Sequence, residues 1–254
     1  MSDPVQQPTI ATELLTELIQ AGVILGHHKS KTHPKMRPHI AGNRNELDLL
    51  DPPSVLESID QAGSYLKKLL GAPTAALPNE QGTGLVLMVG TGPAVKERLA
   101  AFAELWRQPF VGRRWLGGTL TNFSMIKSRL KYYDDLKTKR EQGELQKYTK
   151  KEQLEFNKEI AKLSATFDGL ARLVKLPDAL FVVDAKSHAP AIAEAKILKI
   201  PVIAVMDTDD DPSTVTYPII ANDHARASIQ WVLERLERAI RGQEQVATQS
   251  VGVL

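Results

Sequence analysis

The chain of 254 residues contains no cysteine, which excludes disulfide bonds and thiolate metal sites. Its apolar runs, such as residues 85–89, are far too short to span a bilayer. It also lacks a strong charge imbalance, because 32 Lys and Arg face 30 Asp and Glu, and a net charge of +2 does not by itself predict nucleic-acid binding. No signal peptide is visible at the N-terminus. With 43% hydrophobic and 24% charged residues, the composition is typical of a folded protein, and we expect a soluble cytoplasmic one.

Segments typical of strands alternate with segments typical of helices along most of the chain. The strand candidates are residues 47–50, 85–89, 179–184, 202–206 and 217–220, and the helix candidates are residues 13–20, 54–70, 190–198, 222–241 and a helix that follows the turn 90–93 and runs to 106. Thr91 is the expected cap of that last helix, and Asn222 or Asp223 the cap of the C-terminal one. The continuous apolar run 85–89 is typical of a strand buried on both faces. The pattern predicts an α/β fold with a mostly parallel sheet.

A change of hydrophobic period predicts a helical insertion within this fold. Apolar residues are spaced 3, 4, 3 from Phe123 to Tyr133, and a capping box at Thr149 and Glu152 begins a second helix. Its apolar seam is spaced 4, 3, 4, 3, 4 and comprises Phe156, Ile160, Leu163, Phe167, Leu170 and Val174. We predict one domain over residues 12–242, interrupted at 121–175 by an antiparallel coiled-coil hairpin, with a disordered leader at 1–11 and a flexible tail at 243–254. Lysines and arginines outside the seam suit either a solvated hairpin or an arm against a large partner.

The most unusual stretch is residues 109–122, Pro-Phe-Val-Gly-Arg-Arg-Trp-Leu-Gly-Gly-Thr-Leu-Thr-Asn. Two adjacent arginines, such as Arg113 and Arg114, are rare in a buried segment. A large apolar side chain such as that of Trp115 is rare in a fully solvated loop. Guanidinium groups suit phosphate oxygens, and an aromatic plane suits a base. A packed turn with two snorkelling arginines is the alternative. Both interpretations stay open from these residues alone.

A second basic segment, residues 26–39, holds four of the six histidines and two prolines. The prolines indicate an extended loop. A zinc site is not favoured, because the histidines lack helical ligand spacing and no acidic residue lies among them. The segment is either a solvated loop or an RNA-facing one in which Lys29, Lys31, Lys35 and Arg37 contact phosphates.

Two features invite an enzymatic hypothesis. The turn 90–93 resembles a dinucleotide fingerprint, but Val95 stands where the third small residue belongs, so a tight turn before a helix is favoured. The acidic loop 207–211 follows a predicted strand, where α/β proteins bind ligands, and with Asp184 and His188 it suggests a magnesium site near Asp184 and Asp207. No catalytic triad is recognisable. The alternatives to RNA binding are therefore an enzyme that uses this turn and loop, and a protein adaptor that uses the hairpin seam.

The chain resembles the bacterial form of ribosomal protein two of the small subunit. The matching motifs occur in the family's order over roughly residues 12–241, and the Arg-Trp-Leu-Gly-Gly block at 114–118 with Leu-Thr-Asn at 120–122 is the most specific of them. The others are Ala-Gly at 21–22, Gly-His at 26–27, Pro-Lys-Met at 34–36, Leu-Pro-Asp-Ala at 176–179, Ile-Pro-Val at 200–202, Asp-Thr at 207–208 and Asp-Pro at 211–212.

The resemblance implies a three-layer α/β domain with a protruding coiled-coil hairpin, placed between the head and body of the small subunit and without enzymatic activity or a required cofactor. It implies small-subunit ribosomal RNA and neighbouring proteins as partners, among them the OB-fold-repeat protein that captures messenger RNA, and neither a membrane nor a second copy. Our hypothesis for the RNA-binding residues is Lys29, Lys31, Lys35, Arg37, Arg44, Arg113, Arg114, Trp115, Thr119, Thr121, Asn122 and Lys127. In it the basic groups contact phosphates, and Trp115 braces the loop or stacks on a base.

Overall fold

A computed structural model describes residues 12–71 and 84–242. Its helices are α1 (Thr12–Gln20), α2 (Pro52–Leu70), α3 (Lys96–Leu105), α4 (Phe123–Glu141), α5 (Lys150–Phe167), α6 (Ala189–Ile197) and α7 (Arg226–Arg241). Its strands are β1 (Leu25–His28), β2 (Ile40–Arg44), β3 (Leu47–Leu50), β4 (Val86–Val89), β5 (Phe110–Val111), β6 (Ala179–Val183), β7 (Val202–Met206) and β8 (Tyr217–Ile220). The predicted leader and tail lie outside the described residues.

Five parallel strands form the central sheet, in the order β5-β4-β6-β7-β8. Every residue of β4, β6 and β7 is buried, as expected for interior strands covered on both faces. Alternate residues face opposite sides: Met88 of β4 belongs to one apolar core with side chains of α2, α3 and α7, and Leu87 belongs to another with side chains of α5 and α6. Helices therefore cover both sides of the sheet, and the predicted three-layer α/β fold is confirmed.

A small second sheet was not predicted. It is antiparallel, with the order β1-β3-β2, and only β3 was recognised from the sequence. The basic segment expected to be an extended loop contributes β1, and two 3₁₀ turns, Lys29–Lys31 and Pro34–His39, lie between β1 and β2. The strands escape sequence analysis because they are polar and short: β1 reads Leu-Gly-His-His and β2 reads Ile-Ala-Gly-Asn-Arg.

The two helices of the insertion pack against each other. Thr149 and Glu152 form the predicted capping box at the start of α5, and the phenol of Tyr133 on α4 donates to the Asp168 carboxylate at 2.5 Å. The predicted seam is too long, however, because α5 ends at Phe167 and a 3₁₀ turn follows. Val174, the last seam position, is consequently 67% exposed. Coiled-coil packing of the pair stays a prediction.

Two predicted helix caps are wrong. The helix after β4 begins only at Lys96, so Thr91 lies in the preceding turn, and its hydroxyl instead pairs with His188 Nε2 at 3.1 Å. The last helix begins at Arg226, because the Asn222 side chain accepts hydrogen bonds from the backbone of His224 and Ala225 and closes a turn before it. No helix in the described part of the chain is long and apolar enough to cross a membrane.

Candidate nucleic-acid interface

The two unusual segments of the sequence meet the same edge of the central sheet. In a parallel sheet all strands end on one side, so the loop after β5 and the loop after β7 both leave from the carboxyl edge. Three strand spacings separate β5 from β7, or about 14 Å. The arginine pair follows β5, and the basic segment contacts the loop after β7 through the backbone N–H of His33, which donates to the Thr208 carbonyl at 2.8 Å. The edge therefore collects both sets of candidate residues.

One buried carboxylate shapes the loop after β5. Oε1 of Glu194 accepts from the Trp115 indole at 2.9 Å and from the backbone N–H of Gly118 at 2.8 Å. Its Oε2 accepts from the backbone N–H of Leu120, and from both the N–H and the hydroxyl of Thr121, each at 3.0 Å. Gly118 has φ +85°, which a residue with a side chain rarely adopts. Glu194 thus fixes the path of residues 115–121 from α6.

The hydrogen bonds keep this carboxylate ionised despite its burial. Burial by itself raises the pKa of Glu194, but the donors from Thr121, Trp115, Gly118 and Leu120 outweigh it and leave the pKa below its ordinary value. No pattern in the sequence indicates this role of Glu194 directly. The one feature that could have indicated it is the position of Glu194 on α6, a helix rich in alanine. Ala191 and Ala195 of the same helix are buried like Glu194.

The side chains of three residues proposed to bind RNA form hydrogen bonds within this loop or to Glu194. The Trp115 side chain is half-buried and its N–H is bound to Glu194, which favours the bracing role over stacking on a base. Thr119 is 1% exposed and its hydroxyl donates to the Leu116 carbonyl at 2.6 Å. The Thr121 hydroxyl is likewise occupied by Glu194. These groups position the loop and offer little to an external partner.

The arginine pair has the opposite environment. Arg113 and Arg114 are both exposed, and in the described part of the chain neither guanidinium forms a hydrogen bond or an ion pair with another residue. Asn122 and Lys127, at the start of α4, are exposed as well. Next to residues held by Glu194, the loop therefore presents two adjacent guanidinium groups without a partner among the described residues. Such groups suit bidentate contact with phosphate oxygens.

The basic segment divides into paired and unpaired cations. Nζ of Lys29 lies 2.6 Å from Glu46, and Nζ of Lys35 lies 2.9 Å from Asp211. Three further candidates are exposed and have no ion pair among the described residues: Lys31 and Arg37 of this segment, and Arg44 at the end of β2. Paired lysines attract phosphates less strongly, so the unpaired three are the better candidates.

The histidines of this segment have separate structural roles. Nδ1 of His28 and of His33 each accepts from a backbone N–H two residues later and thereby caps a 3₁₀ turn. His27 instead lies against the acidic loop, with Nδ1 3.0 Å from Asp207. The side chains of His27, His28 and His33 therefore do not converge on one point.

Several carboxyl groups lie close together in the acidic loop 207–211 and in the turn before α7. Burial, followed by the neighbouring Asp207 and Asp184, raises the pKa of Asp223 to about 9. Burial also raises the pKa of Asp210 to about 6. Among the described residues, potential ligand atoms of His27, Asp207 and His224 lie within 4.8 Å of one another, and this group does not include Asp184. His224 was not among the residues predicted to form a site.

The first glycine of the turn 90–93 is closely surrounded by apolar side chains. A Cβ on Gly90 would lie 2.5 Å from Cγ1 of Val95 and 2.8 Å from Cδ2 of Leu99, so the turn is filled by the first residues around α3. Val95, which breaks the dinucleotide fingerprint, is itself buried. Gly90 therefore serves the close packing of helix against sheet.

Sequence comparisons agree with the resemblance drawn from the motifs. A family model described as ribosomal protein S2 matches residues 18–242. A small ribosomal subunit protein uS2 from Fusobacterium nucleatum is 39% identical over 241 residues, covering 93% of this chain and 94% of its own length. Proteins of the same name from Coprothermobacter proteolyticus (38% identical, 91% of this chain and 82% of the relative) and Rhodopirellula baltica (36% identical, 95% and 89%) match similarly. The chain belongs to the ribosomal protein S2 family.

Proposed function

We propose that this protein is a structural constituent of the small ribosomal subunit and binds its ribosomal RNA through the carboxyl edge of the central sheet. Members of the family are structural and not enzymatic, and the relatives are named as small-subunit proteins. On this proposal the protein works in the cytoplasm, as part of the ribosome. The RNA-binding role requires no cofactor.

The observation that carries the proposal is the exposed arginine pair on a loop held by Glu194. Charge alone is a weak argument for a chain of net charge +2. A pair of unpaired guanidinium groups on a fixed backbone is a stronger one, because less conformational entropy is lost when each contacts a phosphate. Lys31, Arg37, Arg44 and Lys127 extend the same interface, with weaker support.

The finer placement follows the family resemblance. We propose a position between the head and the body of the small subunit, with one copy per particle and the insertion of α4 and α5 leaning on a neighbouring component. We also propose that the protein supports docking of the OB-fold-repeat protein. Small subunits that lack this chain should then retain less of that protein after centrifugation, and addition of the purified chain should restore it.

Replacing Arg113 and Arg114 together with alanine should weaken binding to small subunits that lack this protein. A hydrogen bond to a charged group contributes about 1.5–3 kcal/mol, so the loss of two such contacts should raise the dissociation constant by at least about a hundredfold. The slope of log affinity against log salt should become shallower by about 1.4–1.8, as expected for the loss of two phosphate contacts. Both quantities follow from binding titrations at several salt concentrations.

A matched control separates specific contacts from net charge. The double substitution Lys67→Ala and Lys68→Ala removes the same charge from an adjacent exposed pair on α2. It should change affinity and salt slope much less. Equal effects of the two double variants would contradict a specific role for the arginine pair.

A further inference from the structure

We propose that the groove between α3 and α7 binds a short amphipathic helix of a neighbouring protein. The groove has a volume of about 270 Å³ and is lined by residues of these two helices. It lies on the face of the sheet that α2, α3 and α7 cover, and none of its lining residues is a candidate RNA contact. The proposal rests on the proposed function in one respect, since it takes the partner from the small subunit.

Contacts join the two helices at both ends of the groove. Near its start, Nη2 of Arg226 lies 2.8 Å from Oε2 of Glu97. Near its end, the Arg241 guanidinium lies 5.9 Å from the centroid of the Trp106 ring, which directly follows α3. The helices therefore run in the same direction, and the groove occupies the length between the two contacts.

The floor of the groove is apolar. Phe102 and Leu233 form it, and both belong to the core beneath α3 and α7. Leu105 lies beside them and is 47% exposed. Ala101 is exposed as well, and its small side chain leaves the floor open. A partner that covers Leu105 and the floor would remove apolar surface from water, which favours association.

The spacing of the lining residues suits a helix as the partner. They span 98–105 on α3 and 230–237 on α7, and on each helix they occupy positions i, i+3, i+4 and i+7. Each row is about 10 Å long, or two helical turns. A groove between two such rows accepts a third helix whose own apolar residues are spaced three and four.

The rim on α7 favours a basic partner and disfavours RNA. Glu234 is exposed and pairs with no cation within residues 12–71 and 84–242, and its Oε1 accepts from Nε2 of Gln230 at 2.8 Å. Glu237 lies one turn further and is 2.9 Å from Arg241. Carboxylates repel phosphates and attract lysine and arginine. A protein helix with a basic residue beside its apolar stripe is therefore complementary to this rim.

The rim on α3 offers a hydrogen-bond donor. Nε of Arg98 is buried and has no hydrogen-bond partner in the described part of the chain. Buried donors are usually paired in native proteins. The last carbonyl groups of a helix have no partner within that helix, so they would supply the acceptor, as would an acidic side chain on its second flank.

Photocrosslinking from the edge of the groove tests the proposal. The chain contains no cysteine, so Ala227→Cys provides a single site for a benzophenone label. Ala227 is exposed on α7, one turn before Gln230, so the label reaches the groove without filling it. The labelled full chain is assembled into small subunits that lack this protein and is then irradiated.

We expect a crosslink to one protein of the subunit, within a segment whose apolar residues are spaced three and four and are flanked by lysine or arginine. Crosslinks only to RNA, only to this chain or a second copy of it, or no crosslink at all would overturn the proposal. Sedimentation distinguishes this failure from that of the proposed function. A labelled chain that does not enter the subunits contradicts both proposals, whereas one that enters them without the expected crosslink contradicts only this one.

Two substitutions in the groove complete the test. Leu105→Glu places a carboxylate beside the apolar floor and should lower the yield of the expected crosslink at least about tenfold. Glu234→Lys reverses the charge of the rim and should lower it about threefold, as expected for an exposed ion pair. Leu154→Glu is the matched control, because Leu154 is 55% exposed on α5, outside the groove, and it should leave the yield unchanged. Circular dichroism checks that all three variants fold, and equal yields from them would overturn the proposal.

Discussion

Glu194→Ala should lower the free energy of unfolding by about 3–4 kcal/mol, because it removes the acceptor of five hydrogen bonds. An unsatisfied buried donor costs about 1–3 kcal/mol, and the N–H of Leu120 is among the most buried of those left behind. Water can reach some of the others, which keeps the total below their sum. The expected decrease in melting temperature is about 6–16 °C, measured by calorimetry.

Lys196→Ala is the matched control for this substitution. Lys196 lies on the same helix, is exposed, and forms no ion pair or hydrogen bond of its side chain with other described residues. Its replacement should change the unfolding free energy by less than about 0.5 kcal/mol. Similar stabilities for the Glu194 and Lys196 variants would show that the loop does not depend on this carboxylate.

The effect of Glu194 should also depend on pH with a defined sign. Its pKa is lowered in the folded protein, so its stabilising contribution is fully present above the unfolded pKa of about 4.3 and is lost as pH falls through the folded value. The stability difference between the unmodified chain and Glu194→Ala should therefore shrink below about pH 4.3. Urea titrations at several pH values measure it, and a difference that grows on acidification would contradict the assignment.

Gly169→Ala should destabilise the protein by about 2–3 kcal/mol through overpacking. Gly169 follows α5 and lies against the edge strand β5, where an added Cβ would stand 2.3 Å from the backbone oxygen of Phe110 and 3.1 Å from its ring. A backbone atom cannot move aside as a flexible side chain can. The insertion and β5 must separate, and a decrease in melting temperature of about 4–12 °C should follow.

Gly42→Ala is the corresponding control. Gly42 lies on β2, and an added Cβ there would meet no atom within 4 Å. The same chemical change should therefore be neutral, or slightly stabilising through the reduced entropy of the unfolded chain. Comparable losses of stability in the Gly169 and Gly42 variants would mean that the structure around Phe110 adjusts to the added Cβ at little cost.

The sequence predicted the central sheet well because each interior strand is an uninterrupted apolar run. The bounds of β7 and β8 were predicted without error, β4 and β6 were each predicted one residue too long, and the two-residue edge strand β5 was missed. Strands that are covered on both faces of a sheet consist of such runs, so the local composition is enough to locate them. The antiparallel sheet was missed because β1 and β2 depend on pairing with β3 and on the contact of Gly26 with Thr208, which no local pattern reveals.

The candidate interface was predicted only in part for a similar reason. The arginine pair could be recognised from residue type, since guanidinium groups are costly to bury. The roles of Trp115 and Thr121 could not, because both depend on Glu194, more than 70 residues away in the chain. His224 is likewise nearly 200 residues from His27, so only the fold brings these two rings into contact.

Sedimentation of a cell extract through a salt-containing sucrose gradient, with detection of this chain, tests the ribosomal role most directly. The protein should migrate with the small ribosomal subunit at low salt and be released only at high salt, because phosphate contacts weaken as counterions accumulate. The Arg113→Ala and Arg114→Ala double variant should be released at a lower salt concentration than the unmodified chain. Migration of the unmodified chain as a free 28.0 kDa species at low salt would contradict the proposed function.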